Sequence, residues 1–310
     1  MRSIIATHAL RVHFRPEVVP MGRVVSLLLV VSSLALAQPA PPRGALVVGV
    51  VAAQNPEAAK AQAAALSGFV GNALTQTAVS RVFPDQEALA LAVAKGDVDF
   101  AVMGPLAYLR IDPKAGTQLV FRTIRNGKST YRSVLFAPAA KKLTLEGVRK
   151  AVGLKVAWVE PSSASGYLLP KAHLLRAGIN PAQVFTVQDF LGSHDAVCRA
   201  VSAGKYDVGA TYSDPTPNST RISGCEGVLG KEVAKLSLVT VTDEVPNDVL
   251  VAAPDVKREK VELLRAAGKT APNSEAGKDL LKAALLADGV AEVGDSDFDP
   301  IRKALDAFAR

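Results

Sequence analysis

Short strand-like and helix-like runs alternate along this chain from residue 45 to residue 286, and that alternation restricts the fold more than any single motif. The unbroken apolar run over 45–51 reads as a buried strand, followed by a helix over 57–74, a strand over 78–83, a helix over 86–94 and a strand over 98–103. Strands that are apolar on both faces need helices on both sides, so parallel sheets covered by helices are expected. Runs over 119–124 and 131–136 flank Arg125-Asn126-Gly127-Lys128 and read as a hairpin. At Ala137-Pro138 the pattern starts over, with strands at 154–159, 184–187 and 208–211 and helices at 144–152, 168–176 and 194–203. A strand over 249–252 and helices over 256–268 and 275–286 then return to the first unit. The chain is therefore read as α/β with two lobes, residues 45–136 and 246–310 forming lobe 1 and residues 137–245 forming lobe 2. A small ligand belongs in the cleft between them.

What precedes residue 45 reads as a leader. Gly22-Arg23 leads into an apolar run over 24–36 that ends in Ala35-Leu36-Ala37, so residues 21–37 are expected to be a signal peptide cleaved after Ala37. Residues 1–20 fit no part of such a peptide and are read as an upstream start, with Met21 the true one. Residues 38–44 form a proline-rich linker. No later run is apolar over the length that a membrane span needs.

The whole chain carries a formal net charge of +7, which falls to +4 once the leader's four arginines and one glutamate are set aside. Aromatic residues make up only 5% of the chain. A mild, dispersed excess of that kind gives neither a phosphate-backbone stripe nor a base-stacking platform, so nucleic acid is not expected as a partner. Cys198 and Cys225 are the only cysteines. In an exported chain an even pair permits a disulfide, and one is expected here. Outside the leader the histidines are His173 and His194, without ligand spacing around them, so neither a metal nor a cofactor is expected.

The stretch Pro161-Ser162-Ser163-Ala164-Ser165-Gly166-Tyr167 joins a strand to a helix. Small residues, serine hydroxyls and the positive end of a helix suit an anion there, although a serine cap with nothing bound would look the same. Together with Gly192-Ser193-His194-Asp195-Ala196-Val197, Asp207-Val208-Gly209-Ala210-Thr211-Tyr212 and Gly104-Pro105-Leu106-Ala107-Tyr108, it resembles the phosphate/phosphite/phosphonate-binding proteins of ABC importers. The resemblance runs from about residue 45 to residue 286. It implies a type II periplasmic binding protein fold and closure on a phosphorus oxyanion. It also implies delivery to importer permease subunits, with the protein working outside the cytoplasm, as a monomer and not as an enzyme.

The same resemblance implies a ligand set. Ser163, Ala164, Ser165 and Gly166 would form the anion turn, with His194 as a ligand-contacting histidine and Asp214 and Asp248 as acidic contacts. Tyr131 and Tyr212 would be aromatic neighbours, and Gln86 would stand where the family commonly has an aromatic. Ala164 stands where the family commonly has threonine. Two alternatives remain open at this stage. The same fold can bind another small anion as the sensor partner of a receptor, or Ser163 or Ser165 with His194 can serve an exported hydrolase. Against the hydrolase, Ser193, His194 and Asp195 are adjacent and cannot converge as a triad, and Ala164-Ser165-Gly166 lacks the first glycine of a nucleophile elbow.

Overall fold

A computed structural model describes residues 42–52, 56–216 and 218–308. The leader expected over 21–37, the proposed upstream start and most of the linker lie outside the described residues. The chain begins with β1 (Leu46–Val51), α1 (Pro56–Leu74), β2 (Ala78–Phe83), α2 (Gln86–Ala94), β3 (Phe100–Met103), α3 (Pro105–Arg110) and β4 (Gln118–Ile124). It crosses to β5 (Thr130–Pro138), α4 (Leu145–Lys150), β6 (Leu154–Trp158), a π-helical turn (Ala164–Leu168), α5 (Leu169–Arg176), α6 (Pro181–Val184), β7 (Phe185–Phe190), α7 (His194–Ser202), β8 (Val208–Ser213), α8 (Ser223–Leu229) and β9 (Leu236–Pro246). It returns through β10 (Val249–Ala252), α9 (Arg258–Thr270), α10 (Glu275–Leu285), β11 (Gly289–Ala291) and α11 (Asp299–Asp306).

Two sheets result, in the orders β11-β4-β10-β3-β1-β2 and β7-β6-β8-β5-β9. Each is parallel where strand and helix alternate, as in β2-β1-β3 and β7-β6-β8. Each becomes antiparallel at the strands adjoining the crossings, where β10 runs against β3 and β4, and β5 against β8 and β9. The parallel pairing expected from the alternation is found where strand and helix alternate, and the antiparallel strands adjoin it because a strand that enters a sheet from the other lobe is free of the handed crossover that makes neighbours parallel.

The expected hairpin is corrected. β4 lies in the first sheet and β5 in the second, so the first crossing falls before residue 130 and not at 136/137. Asn126 and Gly127 do turn, with φ of 50° and 70°, but pairing stops at the single bridge between Arg125 and Lys128. The buried Asn247 side chain intervenes, donating through Nδ2 to the Thr123 carbonyl at 3.1 Å and to the Lys128 carbonyl at 2.9 Å. This amide staples the two crossings together.

Side chains alternate across β5 as the pleat requires. Leu135 and Ala137 pack with Trp158, Leu174 and Val208 on one face, while Val134 and Phe136 pack with Val197, Cys198 and Val201 on the other. Lobe 1 has a larger core around Val48, Leu66, Leu89, Phe100 and Leu250. That core continues into Leu168, Leu169 and Ala172 of the second lobe through Phe298 and Ile301. The last helix, expected within lobe 1, therefore lies at the junction: Phe298 stacks on Tyr108 at 4.8 Å between centroids, and Phe308 reaches Tyr167 at 6.2 Å. Among the described residues no helix is long and apolar enough to cross a membrane.

Candidate functional site

The carboxyl ends of β1, β3 and β6 open on the space between the lobes, the place where open α/β sheets take ligands. Two adjoining hollows of about 450 and 510 Å³ occupy it, and Arg125, His194, Asp248 and Leu286 border both. Gln86 and Ser163 line the first, while Tyr131, Ser165, Tyr212 and Asp214 line the second. Eight of the ten expected residues are thus brought together. Ala164 and Gly166 line neither hollow: Ala164 is turned into the core, and Gly166 spends its amide on Ser163 Oγ and its carbonyl on the Val159 amide, so neither is brought to the site as expected.

The anion turn is built on a tight contact. A Cβ on Gly166 would stand 2.3 Å from Cγ2 of Val159, so only glycine lets the π-turn sit against the end of β6, where the Val159 amide donates to the Gly166 carbonyl at 3.1 Å. Ser163 caps the turn, its Oγ accepting from the Gly166 amide at 2.9 Å, which leaves its hydroxyl proton to give. The amides of Ala164 and Ser165 have no acceptor among the described residues, as the first turn of a helix dictates. Ser133, buried, fixes the turn from below by donating to the Ser165 carbonyl at 2.6 Å.

A second helix start faces the same space. Ser193 caps α7 by accepting from the Ala196 amide at 2.9 Å, and His194 follows. Its Nδ1 pairs with the buried Thr211 hydroxyl at 2.8 Å, and its ring meets Tyr212 edge-on at 5.1 Å. Burial pushes the imidazole down to about 4, so it is neutral at neutral pH and keeps Nε2 for a ligand. From lobe 1, Gln86 at the start of α2 accepts from the Gly104 amide at 3.3 Å through Oε1, which leaves its NH₂ group to donate. Burial first, then the Asp248 charge, raises the Tyr131 phenol, so it too remains a neutral donor.

Both carboxylates stand in ion pairs, which their sequence positions did not reveal. Asp248 Oδ2 meets Arg125 Nη2 at 2.7 Å, and Asp214 Oδ2 meets Arg221 Nη1 at 3.5 Å. Arg125 and Asn247 are the residues that sequence reasoning missed. The Arg-Asn-Gly-Lys turn marked the place, but its pattern spoke of a surface hairpin. Arg132 donates through Nε to the Asp214 carbonyl at 3.1 Å and holds the loop after β8. Cys198 and Cys225 are joined, with Cα atoms 5.4 Å apart, and the bond ties α7 to α8.

Residues 48–298 match the profile of a family described as the periplasmic substrate-binding protein of the phosphonate ABC transporter. The chain belongs to this phosphonate-binding family. A curated relative, the phosphate-import protein PhnD of Mycolicibacterium smegmatis, is 27% identical over 228 residues, spanning 68% of this chain and 69% of the relative. The fold is that of PhnD1 from Prochlorococcus marinus in complex with methylphosphonate, with a TM-score of 0.70, 19% identity, and coverage of 86% of this chain and 98% of that one. XAC2383 from Xanthomonas citri bound to chloride ion superposes with a TM-score of 0.71 at 20% identity over the same shares. Members of the phosphonate-binding family are transport components and not enzymes. The partner of His194 Nδ1 is the Thr211 hydroxyl, at the position where a hydrolase triad has a carboxylate.

Proposed function

We propose that this protein captures a small phosphorus oxyanion (phosphite, a phosphonate or phosphate) between its lobes outside the cytoplasm and delivers it to the permease subunits of an ABC importer. The observation that carries this reading is that helix starts from both lobes border the two adjoining hollows with donors still to give: the Ser163 hydroxyl and Gln86 on the first, the Ser165 amide on the second, and His194 on both. Helix starts favour anions by about 0.3–1 kcal/mol each, and hydroxyls and amides in a half-closed cleft add direction. The ligands named for two relatives, phosphate in one and methylphosphonate in the other, fall in the same class. Calorimetry of the purified protein with methylphosphonate, phosphite, phosphate and sulfate at matched ionic strength tests the reading. The three phosphorus anions are expected to bind and sulfate to bind at least about tenfold more weakly, because Asp248 Oδ1 keeps an acceptor to which a P–OH can donate and fully deprotonated sulfate cannot. Sulfate binding as tightly as the others would place the protein among carriers or sensors of other small anions.

A further inference from the structure

The cleft is an unusual place to hold an anion, because carboxylates line it. Asp85, Glu160, Asp214 and Asp248 border the two hollows, and Arg125 is the one cationic side chain bordering either among the described residues. His194 adds no charge at neutral pH. Arg221, from outside the hollows, pairs with Asp214, and helix starts supply only fractions of a charge against the other three carboxylates. We propose that Arg125 is the charge-setting and specificity-determining residue of the site, and that its pair with Asp248 presents one donor beside one acceptor, selecting an oxyanion that carries both P–O⁻ and P–OH. This inference rests on the phosphorus-oxyanion reading above.

The geometry supports it at each contact. Arg125 spends Nη2 on Asp248 Oδ2 at 2.7 Å and Nε on the Leu286 carbonyl at 3.0 Å. Nη1 of the arginine and Oδ1 of the aspartate have no partner among the described residues, and both side chains border both hollows. The two residues lie on opposite crossings, Arg125 just after β4 and Asp248 just before β10. Those crossings are tied to each other, with the Thr123 amide donating to the Asp248 carbonyl at 2.9 Å and Asn247 bonding to Thr123 and Lys128. The pair sits on the staple itself, so rotation of the lobes about it carries ligand groups toward the pair without pulling the pair apart. The Leu286 carbonyl, from a residue at φ of 53° that ends α10, fixes the guanidinium plane from the lobe-1 side. Arginine suits this place because its planar fork can hold the aspartate, the carbonyl and a ligand oxygen at once, where lysine offers a point charge.

The test is calorimetry with methylphosphonate, phosphate and sulfate on the wild-type protein, Arg125→Gln, Arg125→Lys and Asp248→Asn, each checked by circular dichroism. Arg125→Gln is expected to lose about tenfold to a hundredfold in affinity for methylphosphonate and phosphate, the worth of a hydrogen bond to a charged group. Arg125→Lys keeps the charge and should fall between wild type and the glutamine variant. Asp248→Asn frees the arginine and removes the carboxylate, so sulfate should gain about tenfold relative to methylphosphonate. Wild-type binding of methylphosphonate with an unchanged affinity in a folded Arg125→Gln would overturn the inference and leave the ligand class standing. If Arg125→Gln fails to fold, an Asp248→Asn protein with an unchanged sulfate-to-methylphosphonate ratio would overturn it as well. A wild-type protein that binds no phosphorus anion would instead remove the reading on which the inference stands.

Discussion

At His194 one buried ring bears on the proposed anion contact and on the pH dependence of stability. Held neutral by burial, in the proposed role it offers an anion an ordinary hydrogen bond, worth about 0.5–1.5 kcal/mol, and not the charge-assisted bond that a histidine at a helix start would suggest. His194→Ala is therefore expected to weaken methylphosphonate binding about twofold to tenfold in calorimetry. The stability consequence follows from its direction of shift. The unfolded chain takes up the proton near the ordinary histidine value of about 6.5, whereas the folded one resists until about 4, so stability present above 6.5 is lost as pH falls through that window. Urea midpoints at pH 7.5 and pH 5 should drop further for wild type than for His194→Gln; equal drops would show that the ring is already charged in the fold. His173, also lowered by burial, contributes to both proteins alike and cancels. At this scale the motif residues were legible because serine, histidine and glycine in those local patterns mark turns and helix starts. Arg125 was not, because what makes it functional is a partner 123 residues further along the chain.

Among the elements, the π-turn over Ala164–Leu168 places Ser165 on one hollow, while its cap Ser163 lines the other. Gly166→Ala must push the turn off Val159, which is expected to cost about 1–3 kcal/mol in urea unfolding and to weaken anion binding together with it. A loss of stability with unchanged affinity would show that the turn can shift without disturbing the donors. The disulfide acts one element further on. It closes a separation of 27 residues, so reduction is expected to remove about 3.5 kcal/mol by the chain-entropy argument, read as the urea midpoint with and without dithiothreitol. Most strands and helices were legible, and β2, α2 and β10 fall on the residues that periodicity marks. The long strand β9 was not. Its inward residues Leu236, Val239, Thr242 and Val245 recur every three positions, because two register shifts against β5 break the period of two by which strands are recognised. The short helix α11 escaped for a related reason, since in its eight residues only Ile301 and Ala304 are buried, too few to establish a period.

On the scale of the molecule, the lobes are joined by three attachments and not the two that chain crossings imply. The crossings at residues 125–129 and 247–248 are stapled by Asn247. The third attachment is the last helix with the turn before it: Phe298, fully buried, lies against Tyr108 of lobe 1, while α11 packs on α5, the π-turn and β9 of lobe 2. The element that holds the anion donors at its start is thus buttressed at its side by the chain terminus. Any rotation of lobe 2 must slide it along Ile301 and Ala304. Removing the Phe298 ring should therefore do two things. Phe298→Ala is expected to lose about 3–5 kcal/mol as a buried aromatic. It should also enlarge the radius of gyration of the unliganded protein in X-ray scattering, with methylphosphonate restoring the wild-type value. Leu264→Ala supplies the comparison, because Leu264 is equally buried but lies on α9, on the flank of lobe 1 and away from the junction. That variant should lose about 2–5 kcal/mol and leave the radius unchanged. If both variants lower stability and neither changes the radius, the last helix is ordinary core and the lobes are held by the two crossings alone.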